Sequence, residues 1–306
     1  MRSFNKIWIP SAGKLCKFNE ITHQQEKVIL KSIAQQAGAY SSFMYALSNI
    51  MSSNAIDIGD FNVIDRLFYG IYTKAYCFGS DLDYILKCSE CSKSIKYSVD
   101  LQRVVNAIEY LSSNKESKVR YEDWIFTLDS PSLQHDVLLR ELKESNIFDD
   151  ETNEILENLA YVKNLTYRDY DIDLQTLEPG QTLEFFNNMD HHVGDELLKQ
   201  IAEFRAKLYS LDTDDALIDL SCVCGSKLLY FSLGAASFDG FLAMIYNGEL
   251  NTLYQKELNY RTLFPGSDVD LIAPVERDLL ISMKSSANQQ SEAEEHPGGE
   301  IDLAKM

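Results

Sequence analysis

No stretch of eighteen consecutive apolar residues occurs in this 306-residue chain, so the sequence offers no helix able to cross a bilayer. The opening residues Met1-Arg2-Ser3-Phe4-Asn5-Lys6 also lack the apolar core of a signal peptide, and the expectation is a soluble protein made in the cytosol. Basic side chains are scarce: 28 Lys and Arg stand against 47 Asp and Glu, a net charge of -19. A surface of that sign repels phosphate backbones and anionic lipid, so no nucleic acid and no membrane is expected as a partner, and proteins are. The motifs that announce catalysis are missing too. There is no glycine-rich phosphate loop, no Gly-x-Ser-x-Gly elbow and no His-Glu-x-x-His. The acids of Asp57-Ile58-Gly59-Asp60 and Asp212-Thr213-Asp214-Asp215 read as turn and helix-capping groups rather than a paired carboxylate site. The five histidines show no ligand spacing, and the adjacent His191-His192 reads as solvent-facing.

What is present is a hydrophobic content of 45%, enough for one large core or two modest ones. Six cysteines in so long a chain, four of them in close pairs, suit a reducing compartment and metal or free thiols better than a disulfide framework. Cys88-Ser89-Glu90-Cys91 lies between Tyr84-Ile85-Leu86 and Ile95-Lys96-Tyr97-Ser98-Val99. Cys222-Val223-Cys224-Gly225 lies between Ala216-Leu217-Ile218 and Leu228-Leu229-Tyr230-Phe231-Ser232-Leu233. The pattern of strand, cysteine turn, strand is therefore written twice. Two thiolates at a hairpin turn make half of a tetrahedral zinc site, so the two turns brought together supply Cys88, Cys91, Cys222 and Cys224 to one structural zinc. The second pair has one intervening residue where zinc knuckles usually have two or more, and a metal-free version of the same hairpins stands beside the zinc reading. A shell closed by four thiolates stabilises and activates no water; a metal enzyme would need an open position. Cys16 and Cys77, outside both turns, read as ordinary buried thiols.

The expected fold is α+β, mainly helical with short antiparallel hairpins, two of them the cysteine knuckles. Residues 1–130 form an N-terminal lobe. Within it Lys6 to Phe18 reads as a hairpin turning at Gly13, and Thr22 with Gln25 as a capping box opening a helix from about 22 to 36. Two further helices carry Phe43, Met44, Leu47, Ile50, Met51 and then Ile64, Leu67, Phe68, Ile71; Val119 to Leu128 reads as one strand. Residues 131–212 read as a helical, acidic middle region, opened at Ser130-Pro131. In its connecting segment Tyr167, Tyr170, Asp171 and Asp173 read either as a contact surface or as a solvated loop. Residues 213–285 hold the second cysteine hairpin and C-terminal helices: one through Phe238 to Tyr246, one from Asn251, and one opened by Pro274 and amphipathic. Residues 286–306 have almost nothing to bury and read as a disordered tail.

Several of these features occur in an order that resembles a known family. They are Lys6-Ile7-Trp8-Ile9-Pro10, Gln25-Glu26-Lys27, the helix before the Cys-x-x-Cys hairpin, the second cysteine hairpin and Pro274-Val275-Glu276-Arg277. The chain resembles the baseplate hub subunit and hub-assembly family of T-even-like contractile-tailed phages up to about residue 285. The resemblance implies a non-enzymatic virion-assembly protein made in the host cytoplasm and built into, or helping to build, the tail baseplate hub. It implies hub, spike or tail proteins as partners, is compatible with homo-oligomers, and maps the family's paired cysteines onto Cys88, Cys91, Cys222 and Cys224. The alternative is a zinc-ribbon-like regulator contacting nucleic acid or RNA polymerase, against which the net charge argues.

Overall fold

A computed structural model describes residues 4–34, 39–57, 59–79, 81–108, 116–208, 216–232, 246 and 250–295. The chain enters as the antiparallel hairpin β1 (Phe4–Ile9) and β2 (Lys14–Asn19), with Gly13 at a φ of 59° in the turn, as expected for a residue without Cβ. Alternation sends Ile7, Ile9, Cys16 and Phe18 to one face, and all four are buried. Helices α1 (His23–Ala34), α2 (Ala39–Asn54) and α3 (Val63–Cys77) pack on that face and form the centre of the core with Ile29, Met44, Leu47, Leu67, Phe68 and Ile71. The capping box read at α1 is present: Thr22 N–H donates to Gln25 Oε1 at 3.0 Å, and Gln25 N–H to Thr22 Oγ1 at 3.3 Å.

Asn62 caps α3, and Asp65, in the first turn of that helix, accepts the Asn62 N–H at 2.9 Å. The same Asp65 carboxylate takes the Ser11 N–H and hydroxyl at 2.9 and 2.5 Å, pinning the β1–β2 turn to the helix. Burial pushes the Asp65 carboxyl up, and the bonds from Ser11 and Asn62 partly offset it. Arg66, also buried, donates to Ser48 on α2 at 2.9 Å and to Asp136 on α5 (Leu133–Glu144). Burial alone would raise the Asp136 carboxyl, but Arg66 and Arg140 overcome it and hold it low.

Two parts of the middle differ from the sequence reading. Val119 to Leu128 is not one strand but a hairpin, β5 (Ser117–Tyr121) and β6 (Trp124–Leu128), turning at Glu122 with a φ of 54°. The stretch read as helical from 148 onward also holds, within its described part, the strands β7 (Val162–Tyr167) and β8 (Tyr170–Asp173), which turn at Arg168 with a φ of 53°. Neither turn contains Gly or Asn, the residues that normally mark a left-handed position, so both hairpins were hidden. The four strands make one antiparallel sheet in the order β5-β6-β7-β8. Phe126, Leu128, Val162 and Leu165 are buried beneath it together with Val193, Leu197, Ile201 and Phe204 of α8 (His191–Leu208). Helix α5 is capped by Ser132, not opened by Pro131, and α6 (Asp150–Leu159) and α7 (Pro179–Asn187) add a small satellite core of Leu139, Leu156, Ala160 and Leu183. Tyr170 is 74% exposed at the β7–β8 turn, beside Asp171, which accepts from Asn164 and Thr166.

The C-terminal helices are α9 (Leu250–Leu263) and α10 (Pro274–Glu295), joined through a 3-10 turn at Val269–Leu271. Ten residues read as tail, from Ser286 to Glu295, continue α10; the remainder, and most of the segment read as a helix through Phe238, Phe241 and Ile245, lie outside the described residues. Tyr246 of that segment is buried and donates its hydroxyl to the Gly70 carbonyl at 2.7 Å. Arg277 is fully buried, while Val275, Leu279 and Met283, spaced i, i+4, i+8, are exposed.

Candidate metal centre

The first knuckle connects β3 (Asp81–Lys87) to β4 (Ser94–Asp100), which pair in unbroken register from Asp81 opposite Asp100 to Lys87 opposite Ser94. Its turn is closed by Cys88 N–H to Lys93 O at 3.0 Å and Ser92 N–H to Cys88 O at 2.9 Å, with Ser92 at a φ of 58°. The second connects β9 (Ala216–Ser221) to β10 (Lys227–Ser232) and is closed by Cys222 N–H to Ser226 O and Gly225 N–H to Cys222 O, both 2.8 Å. Gly225 there has a φ of 89°, the conformation that a side chain resists and that lets so short a Cys-x-Cys turn close. The α4 helix (Leu101–Ile108) leads out of β4 on buried Leu101, Val104 and Val105.

The four sulphurs read from the sequence are brought together. Those of Cys88, Cys91, Cys222 and Cys224 all lie within 4.8 Å of one another, with Cys91 to Cys222 at 3.4 Å and Cys88 to Cys224 at 3.7 Å. Zinc bonded to four sulphurs at about 2.3 Å requires sulphur-to-sulphur edges of about 3.8 Å, so the cluster already has the size of a tetrahedral thiolate shell. The single residue between Cys222 and Cys224 does not prevent this. Cys88 and Cys222 are buried, Cys91 is half-buried and Cys224 is exposed.

The sequence reading overlooked Ser226. Its hydroxyl sits 2.9 Å from Cys88 Sγ and 3.3 Å from Cys224 Sγ, within hydrogen-bond reach of two of the four sulphurs. A serine one residue past a Cys-x-Cys-Gly turn was the available signal. With no cation present the thiols divide in their acidity. The Ser226 hydroxyl, helped by backbone N–H groups of the first knuckle, holds the Cys88 thiol down to about 6. At Cys222 the backbone bond from Cys224 pulls downward, but burial and the neighbouring sulphurs Cys91, Cys224 and Cys88 outweigh it and push that thiol up to about 12. Four thiolates at this spacing repel one another, and a divalent cation among them removes that repulsion.

A second group of ligand-type side chains, His23, Glu257 and Asp270, also has its donor atoms within 4.8 Å of one another. It already has a cation. The Lys27 ammonium lies 2.6 Å from Glu257 and 3.3 Å from Asp270. Arg277 donates to Glu26 at 2.6 Å and to His23 Nδ1 at 2.5 Å; since a guanidinium only donates, Nδ1 accepts and the ring proton sits on Nε2, facing Glu257 at 3.4 Å. Burial would raise the Glu257 carboxyl, but Lys27, Arg261 and His23 hold it down at about 2. This is an ion-pair clasp between α1 and the C-terminal helices. Elsewhere, His191 and His192 are exposed and pair with Asp195 and Glu122, while Cys16 and Cys77 are buried free thiols as expected.

A family model described as T4 bacteriophage base plate protein matches residues 1–233, about three quarters of the chain. The chain belongs to that family. As a baseplate family member it is a structural protein of the phage tail, and its partners are other tail or baseplate proteins. The matched region takes in all ten strands of the described residues and all six cysteines, ending one residue after β10, while α9 and α10 follow it. No curated protein and no solved structure matches the chain. Among the described residues, no helix of this baseplate protein is long and apolar enough to cross a membrane.

Proposed function

We propose that this baseplate protein is a component of the baseplate hub, or builds the hub, and that it acts through protein contacts without catalysis. One structural zinc held by Cys88, Cys91, Cys222 and Cys224 fastens its two ribbons together. The supporting observation is the convergence of four thiols from knuckles more than 130 residues apart in the chain, at the spacing of a closed tetrahedral shell. Bound there, zinc supplies cross-linking stability and no activated water, because the protein's sulphurs fill its coordination sphere. The net charge of -19 and the outward apolar stripe Val275, Leu279, Met283 on α10 suit docking to other proteins. The role is tested by pull-down of the full chain from infected-cell lysate. Hub or spike proteins are expected in the eluate; a clean eluate, or retention of duplex DNA at physiological salt, contradicts the hub role.

A further inference from the structure

We propose that the same cluster is also an oxidation site, at which the metal-free protein closes two disulfides between the ribbons, Cys88 with Cys224 and Cys91 with Cys222. The proposal extends the zinc reading given above, but it rests on the positions of the sulphurs and is tested without the metal. Four cysteines allow three pairings. Two hydrogen-bond-length contacts, 3.4 Å for Cys91 to Cys222 and 3.7 Å for Cys88 to Cys224, both run between knuckles, and together they make one complete pairing. A disulfide bond is about 2.05 Å long, so each pair has to close by less than about 2 Å at the sulphurs.

The other two pairings are each disfavoured by a separate feature. Pairing within knuckles asks Cys222 and Cys224 to bond across a single residue, Val223, which strains the Cβ–S–S–Cβ torsion away from its preferred right angle. Pairing Cys88 with Cys222 joins the two buried thiols and leaves neither accessible to an oxidant. The cross-ribbon pairing instead gives each buried sulphur a more accessible partner: Cys224 is exposed and Cys91 half-buried. Ser226 spans one of the pairs, with its hydroxyl within 3.3 Å of both sulphurs.

With hydrogen peroxide as oxidant the atoms balance as follows. The Cys224 thiolate attacks one peroxide oxygen, the O–O bond breaks, and the hydroxide released takes up a proton to leave as water, giving a sulfenic acid. Cys88 sulphur then attacks Cys224 sulphur, the S–O bond breaks, and the leaving hydroxide takes the Cys88 proton as a second water. Cys91 and Cys222 follow the same course, so each disulfide consumes one peroxide and yields two waters. A tail component is built in a reducing cytoplasm and later meets an oxidising medium. At this site the joint survives loss of the metal, because the oxidised cluster links the same two ribbons.

The test uses the full chain. Its zinc content is measured, the metal is removed with a chelator under reductant, and the reductant is exchanged for stoichiometric hydrogen peroxide. After alkylation, cleavage at Glu90 separates Cys88 from Cys91, and fragmentation in the mass spectrometer separates Cys222 from Cys224. The expected result is loss of four hydrogens, links 88–224 and 91–222, and alkylated Cys16 and Cys77. In parallel, Cys88→Ser with Cys224→Ser, which keeps the 91–222 pair, should close at least about tenfold faster than Cys88→Ser with Cys222→Ser, which keeps 91–224. Links within a knuckle, links 88–222 and 91–224, scrambled or intermolecular links, or equal closure rates overturn the proposal. Cross-ribbon links in a protein that purifies without zinc leave this proposal standing and defeat only the zinc reading. Stoichiometric zinc followed by within-knuckle links does the reverse.

Discussion

The β5–β8 sheet and the two cysteine ribbons are made from the same unit, a short antiparallel hairpin, in different settings. The sheet has four strands and a helix behind it, with Phe126, Leu128, Val162 and Leu165 buried against α8. Each ribbon has two strands. Among their described side chains only Cys88 and Cys222 are buried, and Ile85 is 76% exposed. An isolated two-stranded hairpin is marginal in water, and where these two ribbons meet, four sulphurs converge. The contrast sets a sheet backed by a helix against two ribbons whose four thiols converge.

The contrast is broken most severely by changing Cys88 and Cys222 together to serine. Metal is expected to be lost entirely, and amide protection in β3, β4, β9 and β10 to collapse in hydrogen exchange. The fluorescence of Trp124, packed 4.6 Å from Tyr167 in the sheet, should stay as in the wild type. Equal loss of the sheet signal would show that the two regions are not separately held. The converse change is Phe126→Ala, which removes a fully buried ring and should cost about 3–5 kcal/mol by denaturant titration while leaving zinc content unchanged in the folded fraction.

The C-terminal clasp is a third kind of fastening, by charge. Arg277→Met strands the nearly buried Glu26 carboxylate and should cost about 3–5 kcal/mol, appearing as faster exchange in α9 and α10 before the sheet opens. Its pH dependence has a definite sign. Glu257 is held at about 2 in the folded chain, below its ordinary value near 4.5, so its contribution is complete above about pH 4.5 and is lost as pH falls from there towards 2. Glu257→Gln should flatten that part of the stability profile. The proposed zinc site should respond to acid for another reason: thiols must shed protons to bind zinc, so affinity should fall as pH falls, with release of protons on binding measurable in weak buffer. The smallest expected effect is Asn62→Ala at the start of α3, about 1 kcal/mol, without change in metal content.

Much of this was legible in the sequence because the signals were local. Cys-x-x-Cys and Cys-x-Cys each sit between apolar strands, and Thr22 with Gln25 announces α1 in four residues. The convergence of the knuckles followed from chemistry, since half a zinc shell calls for another half. Two hairpins were missed because Glu122 and Arg168 take left-handed conformations without glycine. The clasp was missed because Arg277 and His23 meet across more than 250 residues, a separation that no periodicity encodes. Serine 226 carries no distinguishing mark until the fold sets its hydroxyl beside two sulphurs.

The most direct test of the fastening is zinc-edge X-ray absorption on the purified full chain, combined with elemental analysis. One zinc per chain with four sulphur neighbours at about 2.3 Å is the predicted result. A zinc-free chain that keeps its ribbons protected from exchange with all four thiols reduced, or a zinc with nitrogen or oxygen in its first coordination sphere, would contradict the account.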